Sequence, residues 1–349
     1  MRWSSDTTTC WRFHRVPGSE VVKRRRLLLV ARGVTSVALL AVLAAVLDPR
    51  EVLGRLTGLD PVWVGLALLV SIAQVVGSAW RWSFTASRLG LELPLSRAIP
   101  EYYLATFLNQ VLPGGVLGDI SRAWRHAREA DTRAAVQSVV FERFSGLVVM
   151  SVIASGSMLL LVEEISGRGR AVFLGLLMLV ILGGVVVIGR IRSGPDAPRM
   201  IRDLGQALLV GTALPVQATT STAVASSYIV MFVMAGEAIG METSAVWLAM
   251  LAGPLLMTML VPVTIAGWGL REVAAAALWS ATGLTAADGV AVSVSYGLIV
   301  LVSSLPGAVV LGLTILRDED PDRTRRQSPI GSVGRVDDVP DPESESLEG

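Results

Sequence analysis

Apolar side chains in this sequence come in long blocks. Leu27–Leu47, Pro61–Trp80, Ser145–Val162, Ala171–Gly189, Thr222–Gly240 and Val290–Leu316 are almost free of charge. Each is long enough to cross about 30 Å of hydrocarbon as a helix rising about 1.5 Å per residue. The intervals between them are short and rich in arginine. The pattern predicts an all-α polytopic membrane protein with about six full spans.

Two further apolar stretches, Ala98–Gly118 and Ala245–Gly269, fit less simply. Each carries proline and several glycines near its C-terminal end, which a continuous spanning helix disfavours. Arg81, Arg88 and Arg97 precede the first stretch, and Arg122, Arg125, Arg128, Arg133 and Arg143 follow it. Basic loops stay on the cytoplasmic side, so both flanks belong there and the stretch is not a single crossing. The expected path enters, turns near Pro113-Gly114-Gly115 and returns on the same side. Irregular backbone at that depth needs protein or water to satisfy it, so the turn is expected to line a cavity. Ala245–Gly269 is expected to dip in the same way from the outer face.

The remaining topology follows. Residues 1–26, with Lys23 and Arg24–Arg26, read as a basic cytoplasmic arm. Leu27–Leu47 exceeds a signal h-region and more spans follow, so it reads as an uncleaved span. Glu163–Arg170 falls outside and Arg190–Arg202 inside. Leu204–Gln217 reads as an interfacial or partly inserted helix. Residues 317–349 are rich in Pro, Ser, Asp and Glu and read as a disordered cytoplasmic tail. Both termini are then cytoplasmic, in a multi-pass protein of the cell membrane.

The two irregular stretches share a spacing. Pro113, Gly118 and Arg122 recur as Pro262, Gly267 and Arg271, with glycine five and arginine nine positions after proline. Each motif follows two spans and precedes one. Units of about 27–162 and 171–316 therefore form an inverted repeat, a plan in which broken helices frame a transporter's substrate site. The plainer alternative is two unrelated Pro/Gly kinks in ordinary spans.

Composition removes other classes. Of 349 residues, 52% are apolar and 17% charged, against about a quarter charged in soluble proteins; the mean hydropathy is +0.60. Cys10 is the single cysteine, His14 and His126 lie far apart, and Lys23 is the single lysine. Neither a thiolate metal cage nor a Walker phosphate loop can be assembled. No metal, cofactor or direct ATP coupling is expected. The arginines serve as topology markers along the loops, so nucleic acid is not an expected partner.

Several residues are candidates for chemistry. Asp119 and Arg122 lie three apart and share a helix face. Nine helical residues past the Pro113 turn place Arg122 about 13 Å back toward the cytoplasm, with Arg271 equivalent on the opposite side. Guanidinium groups bind phosphate through two parallel donors, so Arg122 and Arg271 are candidate lipid-phosphate ligands. The alternative makes both of them snorkelling anchors or structural ion pairs. Glu142-Arg143 and Arg271-Glu272 are adjacent pairs, expected to find partners across the bundle rather than each other. Asn109 either satisfies broken backbone or touches substrate. Gly114, Gly115, Gly118, Gly267 and Gly269 are expected to permit turning and close packing. Arg81, between Trp80 and Trp82, reads as an interfacial anchor, as do Trp63 and Trp247. Gly236 and Gly240 suit helix packing, and His126 reads as a solvated loop residue.

At these residues the sequence resembles a known family. Arg81-Trp82, Asn109 with Leu112-Pro113, Gly118-Asp119 with Arg122, Glu142-Arg143, and Pro262 through Arg271-Glu272 are similar in order and spacing to the membrane region of lysylphosphatidylglycerol synthases and their stand-alone flippase-like relatives. The resemblance covers roughly Leu27–Leu316. It departs at Leu117-Gly118-Asp119, where relatives tend to have Gly-Gly-Asp. It departs again at Thr264 and Ala266-Gly267, where they tend to have Ser and then Gly-Gly. The synthases also carry a soluble aminoacyl-transferase domain that residues after Leu316 do not supply, so a non-enzymatic role is expected. The resemblance implies lipid handling: binding an anionic or aminoacylated phospholipid, or moving it between leaflets. The alternative is an accessory module serving a separate lipid-modifying enzyme. A membrane-embedded enzyme ranks last, because no nucleophile–base or metal constellation is present.

Overall fold

The computed structural model describes residues 31, 34–42, 45, 49–112, 115–128, 130–161, 199–260, 264 and 266–318. The expected arm, most of the first span, the Ala171–Gly189 span, its flanking loops up to residue 198, the tail from residue 319, and Pro113, Gly114 and Pro262 lie outside them.

The described helices are α1 (Pro49–Thr57), α2 (Pro61–Arg88), α3 (Leu95–Val111), α4 (Leu117–Ala127), α5 (Thr132–Leu161), α6 (Arg199–Leu208), α7 (Ala213–Ala238), α8 (Ala245–Met257), α9 (Leu270–Ala281) and α10 (Ala286–Asp318). A single 3₁₀ turn, Thr258–Leu260, extends α8. Four helices, α2, α5, α7 and α10 to Leu316, are long and apolar enough to cross a membrane. They account for four of the six expected blocks.

Hydropathy misplaced several boundaries. α2 runs beyond Trp80 to Arg88, and α5 starts at Thr132, so Arg81, Glu142 and Arg143 lie inside long helices. Leu204–Gln217 is not one interfacial helix. It divides between the end of α6 and the first turns of α7, where Gln217 is buried and donates to Thr85 Oγ1 at 2.8 Å. Charged and amide side chains lower a window's mean hydropathy, yet a helix tolerates them wherever another helix supplies a partner.

The two halves share local chemistry. α2 starts with Asp60 as N-cap, accepting from the Val62 N–H at 2.8 Å, and Pro61 behind it. It ends in a Schellman motif in which Gly90 (φ 79°) and Leu91 donate to Ser87 O and Ala86 O. α7 ends identically: Gly240 (φ 67°) and Met241 donate to Glu237 O and Gly236 O. A short extended link then starts α3 after Pro94 and α8 after Ser244. Gly240 is thus a helix terminator rather than a packing residue; Gly236 alone packs, against Leu248.

α2 and α7 lie antiparallel along their length. Thr85 meets Gln217, Arg81 donates to Ser221 Oγ at 3.1 Å, Gly77 faces Val224, and Ser227 donates to Gln74 Oε1 at 3.1 Å. Numbers rise on one helix as they fall on the other. Cross-packing is reciprocal too. Gly253 of α8 lies against the Ala154 backbone of α5, and Gly307 of α10 lies against the Tyr103 carbonyl of α3. The first helix after each Schellman cap therefore packs on a long helix of the other half.

Alanine fills these contacts. Ala67, Ala79, Ala98, Ala105, Ala235, Ala252, Ala275 and Ala291 are fully buried or nearly so. Between helices in lipid, close approach of small residues and internal polar bonds replaces the hydrophobic drive.

α3 and α4 fold back on each other. Glu101 pairs with Arg125 at 2.6 Å near one end, and Asn109 Oδ1 accepts from the Gly118 N–H at 2.8 Å near the other. Gly118 sits so close to the Ala105 carbonyl that a Cβ would overlap it. Gly115, Gly267 and Gly269 adopt φ of 60°, 82° and 88° at the two breaks, and Ala266 adopts 49°. Gly118 is instead helical and provides the close approach.

Candidate functional site

The first cluster forms where α2, α3, α4 and α5 converge. Arg122, at the middle of α4, is fully buried. Its Nε donates to Asp119 Oδ1 at 3.0 Å and its Nη2 to Glu142 Oε2 at 2.7 Å. The Trp82 and Tyr102 rings sandwich its guanidinium, with centroids at 4.7 and 4.6 Å. Such cation–π contacts strengthen when desolvated. Trp82 is itself fixed by donating from Nε1 to Ser138 Oγ at 3.1 Å.

Glu142 ties the cluster across helices. Its Oε1 accepts from Arg81 Nη2 and, at 3.3 Å, from the Tyr102 hydroxyl. Arg143 turns the other way and pairs with Asp119 Oδ2 at 2.7 Å. Asn109 Nδ2 donates to Asp119 Oδ2 at 3.1 Å. Charges therefore alternate from Arg143 through Asp119, Arg122 and Glu142 to Arg81, which continues to Ser221 of α7 and from there to Ser145. Each ion buried here costs several kcal/mol of desolvation, about 3–5 kcal/mol of which reappears when a partner is removed.

The second cluster surrounds Arg271, which is 2% exposed. Nη2 pairs with Glu272 Oε1 at 2.7 Å and Nε donates to Ser293 Oγ at 2.8 Å. Trp268 and Tyr296 flank the guanidinium at 5.2 and 5.5 Å. Glu272 Oε2 accepts from the Gly269 N–H at 2.7 Å, closing the start of α9. Each arginine is thus held by carboxylate on one side and by one Trp and one Tyr ring on the others.

Several expectations need correcting. Arg271 and Glu272 do pair, although adjacent. They occupy the first turn of α9, and capping draws the Glu272 carboxylate back across the guanidinium. Arg81 is no interfacial anchor: it is 4% exposed and paired with Glu142. Trp82 is completely buried, and His126 is buried against it, edge to face at 5.9 Å. The turn was expected to line a cavity, yet the polar groups beside it close on one another. An open surface groove of about 420 Å³ is bounded by Arg88, Asp131, Arg133, Gln137 and Asp203. Another, about 350 Å³ and apolar, lies among Trp63, Met234 and Val246. Neither touches Arg122 or Arg271.

Asn109, Asp119, Glu142 and Arg143 join Arg122 in one constellation, while Arg271 and Glu272 stand in the other. Sequence reasoning missed Arg81, Tyr102, Ser293 and Tyr296 as members. The available signal was an ionisable residue within a helix that continues to Arg88. Among the described residues no group of His, Cys, Asp and Glu could hold a metal ion.

Long apolar helices enclosing buried arginine–carboxylate clusters define a multi-pass α-helical membrane protein. Residues 29–307 match the family model described as Lysylphosphatidylglycerol synthase TM region. That match spans most of the sequence, so the chain belongs to this family of membrane, lipid-related proteins. A search of curated proteins gives no match.

Proposed function

We propose that this protein binds the phosphate of an anionic or aminoacylated phospholipid and carries it between leaflets of the cell membrane. The two halves act as an inverted repeat whose broken-helix hairpins, α3–α4 and α8–α9, re-enter from opposite faces. The observation that carries this reading is the antiparallel pairing of α2 with α7, two helices with identical C-terminal caps. Equivalent helices that pair head to tail are related by a two-fold axis across their length. For spanning helices that axis lies in the membrane plane, the arrangement used for alternating access. Arg122 and Arg271 then approach lipid phosphate from opposite sides, and the clusters described above are the closed state of each half.

Reconstitution into liposomes with a labelled anionic phospholipid tests this. The purified protein should exchange the label between leaflets, and folded Arg122→Gln and Arg271→Gln variants should be slowed. Exchange unaffected by either substitution overturns the assignment of the arginines. Absence of exchange by the unaltered protein, with activity restored by a partner enzyme, supports an accessory role instead.

A further inference from the structure

Asp119 is held as a bound anion would be. Its Oδ1 accepts from Arg122 Nε at 3.0 Å and from Arg143 Nη2 at 2.9 Å. Its Oδ2 accepts from Asn109 Nδ2 at 3.1 Å and lies 2.7 Å from Arg143 Nη2. Two guanidinium groups and a carboxamide around one carboxylate are the donor set of an oxyanion receptor.

The charges of this cluster do not balance. Arg81, Arg122 and Arg143 face only Asp119 and Glu142, while the neighbouring Glu101–Arg125 pair neutralises itself. The surplus positive charge resides at Arg143, whose side chain is 45% exposed. Arg122, although fully buried, leaves Nη1 with no acceptor among the described residues. Arg81 Nε of the same network is likewise unmet, and unmet buried donors are costly.

The second half repeats the device in closed form. The Glu272 carboxylate, in the first turn of α9, is gripped by Arg271, Ser293 and the Gly269 N–H. There the one cation and one anion cancel, and Glu272 is completely buried. Only the first cluster carries surplus positive charge and presents an exposed arginine.

The geometry points to a displacement site: Asn109, Arg122 and Arg143 form a phosphate receptor in which the Asp119 carboxylate is a resident stand-in. A phosphate group of an anionic amphiphile engages exposed Arg143 first and then replaces Asp119 on Arg122, meeting the unmatched Nη1. Asp119 is therefore a competitor of the ligand rather than part of its binding surface. This rests on the lipid-phosphate reading above and adds opposite roles for Asp119 and Arg143.

Calorimetric titration of the full chain in detergent micelles tests it, using short-chain phosphatidylglycerol and, separately, inorganic phosphate. Asp119→Asn keeps the hydrogen-bonding shape and removes the competing charge. It should bind phosphatidylglycerol about tenfold more tightly than the unaltered chain, the scale of one charge-assisted hydrogen bond. Arg143→Gln should weaken binding by a similar factor. The same order of affinities with inorganic phosphate would assign the site to free phosphate; the order with the lipid alone would assign it to a headgroup. Unchanged or weaker binding by folded Asp119→Asn overturns the proposal. So does unaltered binding by Arg143→Gln, which decides alone if the first variant does not fold. Leaflet exchange by the unaltered protein with no shift in either variant sinks the receptor and leaves transport standing. The expected shifts without leaflet exchange do the reverse.

Discussion

Arg81 of α2 grips Glu142 of α5 across 61 positions of sequence, and Arg122 of α4 holds the other oxygen of the same carboxylate. With the Tyr102 hydroxyl of α3, one carboxylate thus joins four helices of the first half, and Arg81 extends the joint to Ser221 of α7.

Removing that carboxylate charge leaves two buried guanidinium groups short of a partner. Glu142→Gln should cost about 3–5 kcal/mol of stability, the scale for breaking a buried pair. Asp203→Asn removes the partner of Arg133, whose side chain is 46% exposed, and should cost about 0–1 kcal/mol. Denaturant unfolding in detergent, followed by helical circular dichroism, measures both. Equal losses would remove Glu142 from its structural role.

Helix approach between α3 and α4 depends on Gly118. Gly118→Ala drives a methyl group into the Ala105 carbonyl, and overpacking of this kind costs about 1–3 kcal/mol. Gly65→Ala, on α2 with open space around its Cα, should be neutral or gain up to about 1 kcal/mol from helix propensity. Melting temperatures of the two variants should move in opposite directions or differ clearly; equal shifts contradict the packing.

The twin Schellman caps make a matched prediction. Gly90→Ala and Gly240→Ala each force a Cβ into the left-handed region with nothing else nearby. Each should cost about 1–2 kcal/mol, and the two losses should agree closely. A loss confined to one cap would show that the two turns are not equivalent.

Much of the helical plan was legible in hydropathy, because four apolar blocks coincide with four long helices. The break after Val111 was legible from glycine and proline chemistry. The site was legible only in part. Asp119 and Arg122 announced themselves by spacing along one helix. Arg81 and Trp82 did not, since a cation between two tryptophans at the end of an apolar block has the composition of an interfacial anchor. Its true partner, Glu142, comes from a distant helix, and no local pattern encodes that meeting. The Arg271–Glu272 contact was missed for a different reason: the side-by-side rule describes helix interiors, and these residues occupy a capped first turn. His126 was misread because its burial is created by Trp82, another residue distant in sequence.

The central claim is that the two halves point in opposite directions through the membrane. Glu92 and Glu242 follow the twin caps at corresponding places and are both exposed. In a background with Cys10 replaced by serine, single variants Glu92→Cys and Glu242→Cys should be probed in sealed, oriented vesicles with a membrane-impermeant maleimide. Labelling of the two from opposite sides of the membrane is the predicted result; labelling of both from the same side would contradict the account.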